Sequence, residues 1–309
     1  MSAANKKNML AVEIAGIKMK TPIIGASGTF GNGEEYADFV DWNRIGGICA
    51  KGLTLENREG NKGRRIAETA GGMMNCVGLQ NPGVDVFVNE IMPRIKGYNT
   101  PIIVNINGNS MEDYAAITER LSGVAIDGIE VNISCPNVKQ GCMAFGVNPD
   151  SAALVTREVK RRSAVPVIVK LSPNVTDVAE IARAVEGAGA DAVSLINTLL
   201  GMAIDTRTWK PVLGNVTGGL SGPAVKPVAL RMVWQVAQAV KIPVIGMGGI
   251  ASALDAVEFF LAGASAVQVG TANFNNPRIM NEIADELCEY LTRHGLTHVN
   301  QLVGQLKNS

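Results

Sequence analysis

Eight short runs of β-branched and aliphatic residues recur along this chain, with helix-like segments between them, and no other feature narrows the possible folds as much. They are Thr21–Ala26, Gly47–Lys51, Pro101–Asn107, Gly128–Ser134, Val165–Ser172, Ala192–Thr198, Ile242–Met247 and Ala266–Gly270. Amphipathic helices are predicted over Ser110–Leu121, Asp150–Arg162, Val175–Ala188, Pro227–Val240 and Ala253–Ala262. Strands apolar on both faces that alternate with helices imply a parallel sheet with helical crossovers. A doubly wound open sheet has about five or six strands, so eight units in 309 residues point to closure as a (β/α)8 TIM barrel. The earlier piece Met9–Lys18 alternates as a hairpin arm and is expected to plug the barrel's bottom. No composition break marks a second domain, so residues 1–309 read as one barrel with that hairpin and a lid loop at about 135–149.

The bulk numbers exclude several function classes. Lys+Arg and Asp+Glu both count 28, so no global field attracts nucleic acid or an anionic membrane. The basic run Lys62, Arg64 and Arg65 is short enough to be a solvated face. The five cysteines are odd in number and form no CxxC pair, which argues against a disulfide framework, zinc or an iron–sulfur site. Lys6 and Lys7 precede an apolar stretch as in a signal peptide, but Glu13, Lys18 and Lys20 interrupt it too soon. The apolar run Ala192–Ile204 falls short of the roughly 20 residues of a membrane span. A soluble, cytoplasmic protein with reduced thiols is expected.

In such a barrel the active site lies at the C-terminal ends of the strands. Those ends carry Ser27, Lys51, Asn105, Asn132 with Cys135, Lys170, Asn197 with Thr198, Gly248–Gly249 and Gly270–Thr271. Any one asparagine there is more often a satisfied core group than a ligand. Convergence of all eight positions makes that bland account poor for the set. Lysine is almost never fully buried unless paired, so an anion or electron-rich ring is expected near Lys51 and Lys170.

The last two strands end in GMGGIAS (Gly246–Ser252) and GTANF (Gly270–Phe274), glycine loops of the kind that hold phosphate on a barrel rim. Gly246 to Ala251 also satisfies the GxGxxG/A dinucleotide pattern. However, the next strand runs into Gln268-Val-Gly, with no acid for a ribose, so a mononucleotide phosphate is the preferred reading.

After the fourth strand, Asn132-Ile-Ser-Cys135-Pro-Asn137 opens a long aperiodic loop to Pro149, which suits a mobile lid. A free cysteine is usually a small buried hydrophobe. Cys135 nevertheless stands just past a strand end between Asn132 and Asn137, whereas Cys142 sits among Gly, Met and Ala. Both histidines, His294 and His298, fall beyond the last strand, which raises the standing of Cys135 as the base.

NISCPNVKQG with AFG, NCVGLQNPG (Asn75–Gly83), KLSPN (Lys170–Asn174), INT (Ile196–Thr198), TGGLSGPA (Thr217–Ala224) and GMGGI together resemble dihydroorotate dehydrogenase, across essentially the whole chain. Within that family the chain is similar to the class 1B catalytic subunit, linked to NAD. Class 2 members carry a membrane-associating extension and a serine base, which are not seen here. The resemblance implies that FMN is contacted by Ser27, Lys51, Gly52, Asn105, Asn132, Lys170 and Ile196, with Gly222, Gly248, Gly249, Gly270 and Thr271 at its phosphate end. It implies dihydroorotate held by Lys51, Asn75, Cys76, Val77, Gly78, Leu79, Asn132, Asn137, Asn197 and Thr198. Cys135 would take the C5 proton while hydride passes from C6 to flavin N5. FAD and a 2Fe–2S cluster are implied on a separate electron-transfer subunit, in a heterotetramer built on a homodimer of barrels. Rival readings are a dihydropyrimidine dehydrogenase-type barrel acting on uracil or thymine, a fumarate-linked class 1A enzyme, a purine-nucleotide oxidoreductase barrel and a non-catalytic phosphate-binding barrel.

Overall fold

The computed structural model describes residues 9–134 and 145–307. Its centre is a closed barrel of eight parallel strands: β1 (Ile23–Gly25), β2 (Gly47–Leu53), β3 (Ile102–Ile106), β4 (Gly128–Asn132), β5 (Val167–Lys170), β6 (Ala192–Leu195), β7 (Val244–Met247) and β8 (Ala266–Val269). Each strand pairs with its neighbour in sequence, and β8 closes on β1 through Val267↔Ile23 and Gln268↔Ile24. Seven of the eight predicted runs contain their strand, and the second strand starts with its run at Gly47 but continues two residues past it to Leu53. β3, β4, β5, β6, β7 and β8 are buried along their whole length, as strands sandwiched between a filled interior and outer helices must be.

The five predicted helices occur at Met111–Arg120, Pro149–Arg162, Val178–Gly187, Lys226–Ala239 and Ala253–Leu261. Four of them start at a capping side chain that accepts backbone N–H bonds: Ser110, Asn148, Asp177 and Ser252. Helical turns from Val84 to Ile95 and the helix Ile279–Arg293 complete the outer layer and were not read from periodicity. Val12–Ile14 pairs antiparallel with Ile17–Met19, forming the predicted hairpin. A Cβ at Gly128, the first residue of β4, would stand 2.9 Å from Ile17 Cδ1, which places the hairpin under the barrel's N-terminal end.

Two excursions build a structure that strand counting did not foresee. Ile66–Thr69 and Gly72–Asn75 follow β2, and Leu199–Met202 and Thr217–Ser221 follow β6. Together they form a four-stranded antiparallel sheet at the C-terminal end of the barrel. Its face away from the barrel carries a small second core of Ala67, Met74, Cys76 and Leu213. Among the described residues no helix is long and apolar enough to cross a membrane.

Candidate active site

A cavity of about 1120 Å³ opens at the C-terminal ends of the strands and beneath the antiparallel sheet. All twelve residues expected around a cofactor line it: Ser27, Lys51, Gly52, Asn105, Asn132, Lys170, Ile196, Gly222, Gly248, Gly249, Gly270 and Thr271. So do Asn75, Val77, Gly78, Leu79, Asn197 and Thr198 from the expected substrate set. Cys76 does not. Its side chain turns into the small second core, where Sγ lies 3.6 Å from the Arg64 carbonyl. The alternation of a β-strand makes this necessary, since Asn75 faces the cavity and its neighbour must face away. Cys135, Asn137 and Cys142 lie outside the described residues, as do residues 135–144 of the expected lid. The rest of that segment forms a tight turn, Phe145–Val147, and the start of the helix from Pro149.

The floor is polar and highly ordered. Lys170, at the end of β5, is buried, and its Nζ donates to Ser27 Oγ at 3.3 Å. Below it, wholly buried on β4, is Glu130, a residue that the sequence reading passed over. Its carboxylate accepts from Cys49 Sγ (3.3 Å), Asn105 Nδ2 (2.7 Å), Ser194 Oγ (2.9 Å) and Gln268 Nε2 (2.8 Å), with Lys170 Nζ at 3.7 Å. Burial alone would raise this carboxyl. The Lys170 charge, with the bonds from Gln268, Asn105 and Cys49, outweighs it and holds Glu130 below the usual carboxylate range. Burial pulls the Lys51 ammonium down from its ordinary value, against the opposing charge of Glu35.

Close packing sets the glycine at position 52. A Cβ there would stand 2.5 Å from Asn107 Nδ2 and 2.7 Å from Asn105 Oδ1, so only glycine lets those amides reach the floor. One side wall is a chain of amides and hydroxyls. Asn132 Oδ1 accepts from Ser134 Oγ at 2.6 Å, and Asn197 Nδ2 donates to the same hydroxyl at 2.6 Å. The opposite wall, Asn75 to Leu79, is fastened by Asn81. That side chain accepts from the backbone N–H groups of Thr54 (3.1 Å) and Gly83 (2.9 Å) and donates to the Leu79 carbonyl (2.7 Å). Oriented amides of this kind can bind a carboxylate without a further buried charge.

At the far end Gly222, Gly248 and Gly249 have φ of +97°, +127° and +76°. A Cβ on Gly249 would meet Gly222 O at 2.9 Å and Lys226 Cβ at 2.8 Å. Asp255 ties this loop down by accepting from Ala251 N at 2.9 Å and from Lys226 Nζ at 2.6 Å. Thr271 Oγ1 donates to Ser221 Oγ at 2.9 Å, joining the β8 loop to the antiparallel sheet.

Cationic at the floor and glycine-lined at one end, the cavity has the charge and the closely approaching backbone that FMN would need. One buried acceptor also waits for a donor: Gln268 lines the cavity, and its Oε1 finds no partner among the described residues. The histidines are occupied elsewhere, His294 against Tyr290 and His298 on the Ala11 carbonyl. Glu130, Gln268 and Asn81 are the residues that sequence reasoning missed. The available signal for Glu130 was a lone acid inside a strand otherwise apolar on both faces.

The dihydroorotate dehydrogenase family model matches residues 9–291. The chain is 56% identical over 299 residues to "Dihydroorotate dehydrogenase B (NAD(+)), catalytic subunit" of Geobacter sp. (strain M21), covering 96% of this chain and 98% of that one. To the protein of the same name from Geobacter metallireducens it is 57% identical, over 98% of this chain and 99% of the other. For the one from Bacteroides thetaiotaomicron the identity is 58%, over 96% and 99%.

Proposed function

The chain belongs to the dihydroorotate dehydrogenase family, and from that premise we propose how its site oxidises dihydroorotate to orotate in pyrimidine biosynthesis. The residues at the barrel mouth would hold FMN, Cys135 would act as the base, and a separate subunit would link the site to NAD. The observation that carries this reading is the pair of lysines, Lys51 and Lys170, lining a cavity whose other end is a glycine cradle.

When bound, FMN supplies the two-electron acceptor for the carbon–carbon bond that becomes unsaturated. Lys170 and Lys51 line the cavity floor and would stabilise negative charge on a flavin ring held there. Gly222, Gly248, Gly249, Gly270 and Thr271 hold the phosphate end through closely approaching backbone. Asn75, Gly78, Leu79, Asn132, Asn197 and Thr198 orient the substrate, and the amide set suits its carboxylate. Cys135 removes the C5 proton; a thiol of ordinary pKa about 8.5 serves as a base near neutrality once aligned. Asn137 completes the substrate contacts.

The relatives' name, a catalytic subunit linked to NAD(+), supports a division of labour between chains. FAD and a 2Fe–2S cluster belong on that second subunit, in a cytoplasmic heterotetramer with two copies of this chain. The test follows purified chain mixed with dihydroorotate. It should be yellow, release FMN rather than FAD on heating, bleach on substrate addition and reduce artificial dyes, yet form NADH only when the partner is added. A colourless protein that FMN cannot reconstitute would sink the reading. Robust NADH formation by the chain alone would remove the need for a partner, and efficient turnover with fumarate would place the chain in class 1A.

A further inference from the structure

Glu130 sits at the meeting point of six barrel strands. An ionised carboxylate offers about four lone-pair sites. Here Oε1 accepts from Cys49 of β2 and Asn105 of β3, and Oε2 accepts from Ser194 of β6 and Gln268 of β8. Neutral donors therefore fill every site. Lys170 of β5 stands 3.7 Å away, too far for a good hydrogen bond and near enough for strong Coulombic attraction in a dry interior. Its ammonium donates instead to Ser27, above, and lines the cavity.

An ordinary ion pair uses up the hydrogen bonds of its cation. This one does not. We propose that Glu130 is a positioning residue that keeps Lys170 protonated and aimed into the cavity while leaving the ammonium's N–H groups to the flavin ring. The inference rests on the FMN reading given above. Without a countercharge, burial would push Lys170 toward its neutral form, and the floor would lose its cation. The other titratable groups near the pair are few among the described residues. The Cys49 thiol, pushed well up by burial and by Glu130's charge, remains a neutral donor. Lys51 lines the same cavity from β2 and adds positive charge, which makes the countercharge more necessary.

The test measures the midpoint potential of bound FMN against pH in the holoprotein. In a two-electron couple each proton taken up on reduction contributes about 30 mV per pH unit. On this proposal wild type should hold a one-proton slope from about pH 6 to 9, with the Glu130 countercharge fixing Lys170 in both redox states. In Glu130→Gln the slope should steepen to about 60 mV per pH unit inside that range, as a neutral Lys170 gains a proton on reduction. Adding Lys170→Met to that variant should restore the one-proton slope. Ser194→Ala removes one donor but neither charge, so it should keep the wild-type slope. An unchanged slope in flavin-loaded Glu130→Gln, or an equal change in Ser194→Ala, would overturn the proposal.

A second measurement separates this from failure of the FMN reading and remains available if Glu130→Gln does not fold. In Lys170→Met the carboxyl loses the cation that offsets its burial, so on this proposal its folded pKa should rise above the unfolded value. Stability is then present at low pH and lost as pH rises through that folded pKa. The chemical-denaturation midpoint of Lys170→Met chain without flavin should fall as pH is raised from about 5 to 8, while wild type shows no such fall. A flat profile would refute the charge coupling whether or not flavin binds.

Discussion

Replacing Asn81 by alanine should weaken the fold and the substrate wall together, for reasons that can be counted. Asn81 is only 4% exposed. Its Oδ1 is the acceptor for the backbone N–H groups of Thr54 and Gly83, and its Nδ2 donates to the Leu79 carbonyl. Two backbone donors left without an acceptor cost about 1–3 kcal/mol each, so the variant should lose roughly 2–6 kcal/mol. For a chain of this size each kcal/mol moves the melting point by roughly 2–3 °C, giving a fall of roughly 4–18 °C. Leu79 adds a second effect. Its φ of +57° is left-handed and costs a branched side chain roughly 1–2 kcal/mol. Once Asn81 no longer holds the Leu79 carbonyl, the loop relaxes, and the fraction poised for substrate drops about tenfold. KM for dihydroorotate should therefore rise about tenfold while FMN content is unchanged. Differential scanning fluorimetry and steady-state dye reduction read both effects. A melting point within about 2 °C of wild type together with KM within about twofold would show that Asn81 does not fasten this wall.

Cys135→Ala should lower turnover by about 10²- to 10⁴-fold with FMN retained, whereas Cys142→Ala should leave most activity; comparable losses in the two would reassign the base. Cys135→Ser should retain little activity at neutral pH, and wild-type activity should rise with pH as the thiol ionises. Gly249→Ala introduces a Cβ 2.8 Å from Lys226 Cβ at a φ of +76°, so fluorescence titration should show FMN affinity falling by at least about tenfold. Asp255 is pushed up by burial but held below its ordinary value overall by Lys226, the Ala251 N–H and Ser252. Its contribution to stability is present above the unfolded pKa and lost as pH falls through the lower folded one. Acid denaturation of Asp255→Asn should accordingly show less loss of stability below about pH 4 than wild type; an identical acid limb would contradict the assignment.

The barrel was legible because each strand is short, apolar on both faces and bounded by turn residues, a pattern that survives in one sequence. Its rim was legible through polar residues at strand ends, where Lys51 and Lys170 have no reason to sit in a core. The antiparallel sheet was not. Its strands have four or five residues, are rich in glycine, and find partners across gaps such as that between Asn75 and Gly219. No local periodicity carries that pairing. Motif adjacency puts Cys76 in the expected substrate set, whereas its side chain turns into the second core. Glu130 looked like one charge among many until closure brought Cys49, Asn105, Ser194 and Gln268 onto it from other strands.

That antiparallel sheet also dictates an order of assembly. Thr217–Ser221 is the strand that joins the two excursions, pairing with Leu199–Met202 on one side and with Gly72–Asn75 on the other. That pairing joins excursions that leave the barrel after β2 and after β6, so it is among the long-range contacts whose loop-closure cost is greatest. Bringing such distant segments together is slow and entropically costly, so the roof should form late and open early. Hydrogen exchange should find amides of Gly72–Asn75 and Thr217–Ser221 opening at lower free energy than those of β3 to β5. Early exchange in the roof with β3 to β5 still protected would give a ligand a route into the cavity that leaves the charged floor in place.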